Sequence, residues 1–285
     1  MGLLLAAMSA LVYGTADFLG GLCARKVPAL LVALVSQIIG LATLLLVVAL
    51  WEPGDPLRSD WLWGALAGIG GGLGLAGFYR ALAVGPMSIV APVTAVMSAL
   101  VPLVAGLAQG DRPSGLSWVG LAAAVPAIGL VSIASEEPGV RRVSTPTLLT
   151  SLAAGVAFGL FFVAFGQTRA EAELWPLVSA RFASISMLAL LTVAGRGGRP
   201  AGSWAAARSG IVVIAGAGIL DTVANGLYLL STHSELLSLT AVLAAMYPVS
   251  TVLLARVVLH EKFLRVQLVG MALAAAAVGM IAAGR

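Results

Sequence analysis

The chain has 285 residues, of which 60% are hydrophobic and only 10% charged, and its mean hydropathy is +1.04. That balance excludes an ordinary soluble domain and points to a lipid solvent. The net charge of +4 does not indicate nucleic-acid binding, because the basic residues fall singly or in pairs at the ends of apolar runs, where they read as topology signals. A single cysteine, Cys23, excludes an internal disulfide, and two histidines without cysteine neighbours offer no metal site; no metal and no cofactor are expected.

A helix needs about 20 apolar residues to cross the hydrocarbon core. Runs of that length recur at roughly 2-23, 29-50, 61-84, 87-108, 115-135, 147-167, 175-195, 209-231, 236-259 and 264-284, which predicts an all-α membrane protein with ten transmembrane helices. Pro28, Pro86, Pro146 and Pro176 stand at helix starts, where the missing N–H costs nothing. The connectors WEPGDPLRSD, SEEPGVRRVS and GRGGRPAGSW are rich in turn formers and charge and belong in water. Pro92, Pro102, Pro126 and Pro248 lie inside spans and predict helix kinks that free backbone carbonyls.

An offset of 150 residues aligns 68-135 with 218-285 without a gap, pairing Gly68 with Gly218, Ser88 with Ser238, Gly120 with Gly270, Gly129 with Gly279, Asp111 with Glu261 and Phe78 with Tyr228. At an offset of 145, Ala10-x-x-Tyr13-Gly14 matches Gly155-x-x-Phe158-Gly159. The chain therefore divides into a first five-helix repeat at 1-135, a connector at 136-146 and a second five-helix repeat at 147-285. Five is odd, so the second repeat enters the membrane from the opposite face, and two inverted repeats around a central cavity are the architecture of alternating-access transporters.

The five-plus-five pattern, the Tyr13-Gly14 pair, the stretch from Pro248 to Glu261-Lys262, and Gln267-x-x-Gly270 with Gly279 resemble the EamA-type branch of the drug/metabolite transporter superfamily. The resemblance covers essentially the whole chain. It implies export of amino acids, metabolites or drugs through a cavity lined mainly by helices one, three, four, six, eight and nine. The chain departs from the family pattern at Ser98, where the second repeat has Pro248, and at Gln37, where an arginine is often expected; helix seven carries Arg181 instead.

Two acids, Asp17 and Asp221, lie well inside predicted spans. A charge at the centre of a membrane helix costs about 2.5 to 3.5 kcal/mol on insertion scales, so each is a candidate substrate- or proton-binding residue. Asn225 and Tyr228 follow Asp221 at i+4 and i+7, and Ser9 and Tyr13 precede Asp17 at four-residue steps, giving two polar stripes that would face each other across a cavity. A carboxyl that alternates between dry and wet surroundings takes up and releases a proton, so protons are the expected coupling ion. Arg181 is either the counter-ion of an aspartate or a clamp for a substrate carboxylate. Tyr247, Ser250, Thr251, Thr94 and Ser98 form a second tier of cavity candidates. Gly72-x-Gly74-x-x-Gly77 matches a dinucleotide fingerprint as a string, but no strand precedes it; with Gly64 and Gly68 it makes a smooth helix face for close approach.

Nine basic residues follow odd-numbered helices, namely Arg25, Lys26, Arg141, Arg142, Arg196, Arg199, Arg208, Lys262 and Arg265, against four, Arg58, Arg112, Arg169 and Arg285, after even-numbered helices. The positive-inside rule then puts both termini outside a plasma membrane. The expected function is a secondary transporter exporting a small-molecule substrate, not an enzyme, since H-E-x-x-H and G-x-S-x-G are absent. An uncoupled facilitator or lipid-linked flippase of the same fold is the alternative. The expected partners are the substrate, the lipid bilayer and protons, with no nucleic acid, in a monomer or weak homodimer.

Overall fold

A computed structural model describes residues 1–50, 54–131, 144–194, 208, 210–259 and 265–283. Its elements are α1 (Gly2–Ala24), α2 (Ala29–Leu50), α3 (Arg58–Val84), α4 (Met87–Ala108), α5 (Gly115–Val131), α6 (Thr145–Phe165), α7 (Trp175–Ala194), α8 (Ile211–Thr232), α9 (Leu237–Ala244), α10 (Pro248–Leu259) and α11 (Arg265–Ala283). Among the described residues there is no strand. Backbone groups in lipid must be satisfied within the chain, and helices do this with their own N–H and C=O groups.

Among the described residues, eight helices are long and apolar enough to cross a membrane: α1, α2, α3, α4, α6, α7, α8 and the segment Leu237–Leu259 that holds α9 and α10. Helices α5 and α11, which are not among these eight, pack against each other. Side chains such as Leu4, Leu46, Leu66, Leu160 and Phe182 are exposed, as a lipid-facing surface requires.

Three of the four prolines read as kink sites lie within continuous helices. Helix α4 runs unbroken through positions 92 and 102, and α5 through Pro126; the side chain of Pro92 lies outside the described residues. A proline removes one hydrogen bond and bends a helix without having to break it, so continuity leaves the kink expectation in place. Only Pro248 coincides with a break, between α9 and α10. The Ala244 carbonyl, which Pro248 cannot serve, accepts from Tyr247 N at 3.3 Å in a tighter turn.

Glycines set the closest helix approaches. A Cβ on Gly64 or Gly68 would strike the backbone of Pro176 or Ala180 in α7, and one on Gly71 or Gly74 would meet the rings of Phe161 or Phe158 in α6. The contacts recur at the repeat offsets. Gly68 seats against the Ala180 carbonyl, and Gly218, its mate, seats against the Ser36 carbonyl in α2. Gly14 in α1 lies against Tyr247, Ser250 and Thr251, while Gly159 in α6 lies against Val101, the residue 150 positions before Thr251.

Connectors gather at one end of the bundle. Gln167 Nε2 donates to Gln109 Oε1 at 2.8 Å, joining the α6–α7 and α4–α5 connectors, and Asp111 Oδ2 accepts from Ser238 N at 2.8 Å at the start of α9. The α2–α3 connector joins them through Asp55 N, which donates to the Glu171 carbonyl at 2.7 Å. Residues 260–264 and 284–285, with Glu261, Lys262 and Arg285, and most of the long connectors around 132–143 and 195–207 lie outside the described residues.

Candidate substrate and proton site

Midway along the bundle, α1, α2, α3, α6, α7, α8 and the α9–α10 break enclose a cavity of about 50 Å³, room for a few waters or a small polar group. Tyr13, Asp17, Gln37, Arg181, Asp221 and Asn225 form its polar wall. Phe158, Phe161, Phe162, Leu75 and Leu177 form its apolar wall, and Gly68, Gly71 and Gly72 leave the floor on α3 without side chains.

Arg181 is 3% exposed, so its charge stands only with partners. It pairs with Asp221, NH2 to Oδ2 at 2.8 Å, and donates to Gln37 Oε1 at 2.6 Å and Thr222 Oγ1 at 2.9 Å. Gln37 is the hub of this set: its Oε1 also accepts from Ser184 Oγ at 2.8 Å, and its Nε2 reaches Asp221 Oδ2 at 3.5 Å. Of the two roles open to Arg181, the geometry takes the counter-ion of Asp221, while Arg181 Nε keeps a buried N–H without a partner among the described residues.

Asp17 differs. It is 8% exposed, lines the cavity, and makes no hydrogen bond or ion pair to a described residue. Tyr247, on the same cavity, has a buried hydroxyl with Ser98 beside it and no hydrogen bond of good geometry to a described residue. With Arg181 and Asp221 cancelling, Asp17 is the cavity acid that no described cation pairs with.

The two predicted polar stripes do meet, but only part of each reaches the cavity. Tyr13 OH donates to Asn225 Oδ1 at 2.9 Å, and Asn225 Nδ2 donates to the Asp221 carbonyl, joining α1 to α8 beside the acids. Ser9 instead donates to the Ala224 carbonyl at 2.8 Å and Tyr228 to the Phe162 carbonyl at 3.2 Å, so both tie helices together away from the cavity wall. The second tier splits in the same way. Tyr247 lines the cavity, whereas Thr94 donates to the Ser151 carbonyl, Ser98 to that of Ala95, Ser250 to those of Ala10 and Tyr247, and Thr251 to that of Gly14.

Sequence reasoning treated Gln37 only as a departure from a pattern and passed over Thr222, Phe158, Phe161 and Phe162. A polar amide in a 22-residue apolar helix was the available signal for Gln37; the phenylalanines are indistinguishable from lipid-facing residues without their contacts. Arg80 and Arg256 are exposed, as helix-end arginines that snorkel would be. His233, the C-cap of α8, is partly buried with Nε2 unpartnered; burial pushes its pKa below the ordinary value, against the opposing pull of Glu173, Glu171 and Asp60.

No curated protein matches the chain. Twenty-seven solved chains match it, and one crystal structure aligns with a TM-score of 0.69 at 18% identity, covering 96% of this chain and 94% of its own, which establishes likeness of fold. The model of the EamA-like transporter family matches residues 1–133 and again 145–283, two halves that together span nearly the whole chain. This multi-pass membrane protein belongs to the EamA-like transporter family.

Proposed function

We propose that the protein is an alternating-access secondary transporter that exports a small metabolite, amino acid or drug in exchange for protons, with Asp17 as the exchanging carboxylate. The observation that carries this reading is the contrast between the two acids: Asp221 is held by Arg181 at 2.8 Å, and Asp17 faces the same cavity without a partner among the described residues. An unpaired charge in the membrane interior is costly, and binding either a proton or a cationic part of the substrate removes that cost. One carboxylate that takes each in turn couples the two flows.

The inverted-repeat reading is supported by the reciprocal glycine contacts, Gly68 on Ala180 with Gly218 on Ser36, and Gly14 on Thr251 with Gly159 on Val101. Domain limits at 1-135 and 147-285, a plasma-membrane location and termini outside the cell belong to the same proposal, the last from the bias of basic residues.

The pairing of Asp221 favours one second reading, an uncoupled facilitator in which the acids are structural. Flux of amines, amino acids and dyes into proteoliposomes, with and without an imposed pH gradient, separates the two. The exchange reading expects uptake of at least one compound to be driven by the gradient. Uptake at the same rate without it makes the protein a facilitator.

A further inference from the structure

The connectors at one end of the bundle converge on Asp60, in the first turn of α3. This residue is fully buried although it lies at a helix end. Its Oδ2 accepts from Leu57 N at 2.8 Å, which caps α3, and from Arg169 Nε at 3.1 Å and NH2 at 3.0 Å; its Oδ1 accepts from Arg169 N at 3.0 Å. Arg169 NH2 also donates to the Asp55 carbonyl at 2.8 Å, and Asp55 N in turn binds the Glu171 carbonyl. Below this layer the rings of Trp61 and Trp175 lie 5.5 Å apart, and Ser179 Oγ donates to the Trp61 carbonyl at 2.6 Å.

This is a closure between the two halves of the chain. Asp55, Asp60 and Trp61 belong to the first, and Arg169, Glu171, Trp175 and Ser179 to the second. It lies over the cavity: Gly68 on the cavity floor follows Asp60 by about 12 Å along α3, at 1.5 Å per residue. A fork of charge-assisted bonds on a buried carboxylate is strong while closed, and the arginine, already 37% exposed, can leave for water while the carboxylate loses its cover. At the opposite end, Arg25 and Lys26 are exposed and make no ion pair with a described residue.

We infer that the Asp60–Arg169 pair is the gate that shuts the cavity from the face of the α2–α3 and α6–α7 connectors, and that it breaks and reforms once per transport cycle. The inference rests on the transport reading above, but its test does not depend on flux. In a Cys23→Ser background, Leu75→Cys places a thiol on the cavity wall, and Glu171→Cys marks the clamped face with an exposed thiol. A membrane-impermeant thiol reagent is applied to right-side-out and to inverted vesicles, the Glu171→Cys control identifying which vesicles present the clamped face.

With Arg169 intact, Leu75→Cys is labelled slowly from that face. Arg169→Gln, which leaves the Asp60 cap on Leu57 in place, raises the rate at least about tenfold, and Arg169→Lys restores part of the closure. An unchanged labelling rate in Arg169→Gln overturns the gate, also when the melting temperature falls, since a merely structural pair would lower stability without changing sidedness. If labelling rises but no compound of the transport panel is carried, the gate stands and the transport reading fails. If labelling is unchanged while the panel flux persists, the reverse holds.

Discussion

Asp17 and Asp221 share a cavity under different electrostatic circumstances, and the difference sets what each substitution does. Asp221 completes a buried network with Arg181, Gln37 and Thr222. Arg181→Gln strands Asp221 and is expected to destabilise the protein by about 3–5 kcal/mol, since removing one member of a buried pair leaves the other uncompensated. The double variant Arg181→Gln/Asp221→Asn is expected to recover most of that loss, which chemical denaturation in detergent would measure as a large favourable coupling between the two sites. Additive losses would show that the pair is not a unit. The acids, Tyr13, Asn225 and Arg181 were legible in the sequence because polar residues inside apolar runs carry a known cost. The allotment of Arg181 to Asp221 and not to Asp17 was not legible, because it depends on how α7 rotates against α2 and α8.

At the scale of elements, glycine spacing along α3 and α8 fixes how closely the halves approach. Gly68→Val and Gly218→Val each drive a side chain into a backbone carbonyl, of Ala180 and Ser36 respectively, and similar losses of about 1–3 kcal/mol are expected in both. Gly115→Ala, whose added methyl meets open space, serves as the control and should leave the unfolding midpoint where it was. Unequal losses at Gly68 and Gly218 would count against their equivalence. The α8–α9 connector supplies a pH test through His233. Burial lowers its pKa in the fold, so the fold prefers the neutral ring, and the unfolded chain binds the proton more readily as pH falls below about 6.5. Stability that His233 leaves intact above that pH is lost below it. His233→Gln should therefore lose less melting temperature than the parent between about pH 7.5 and 5.5; an equal drop would remove His233 from the account. The burial that perturbs His233 comes from packing, which its place beside a connector does not reveal.

Across the whole molecule, the order of helices and the two-part match were readable from hydropathy and the 150-residue offset, since both are written into every turn of the chain. The connector clamp was not. Asp60 and Arg169 are 109 residues apart, and Arg169 in isolation reads as one more topology charge. The break before Pro248 lies where a kink was expected, while α4 and α5 continue through their prolines, since a proline reveals a missing hydrogen bond but not whether the helix breaks there. Sidedness is open to a direct check: a fluorescent reporter that matures only in the cytoplasm, fused after Arg285, stays dark if both termini are outside. Fluorescence would invert the assignment without touching the fold.

The measurement that bears most directly on the exchange mechanism is uptake driven by an imposed pH gradient in proteoliposomes holding Asp17→Asn, with the first panel compound that the parent protein carries. The asparagine keeps the size of the side chain and removes its titration. Gradient-driven accumulation is expected to be abolished, while the Arg181→Gln/Asp221→Asn double variant, with Asp17 intact, still responds to the gradient. Undiminished gradient-driven uptake by Asp17→Asn would contradict the exchange mechanism.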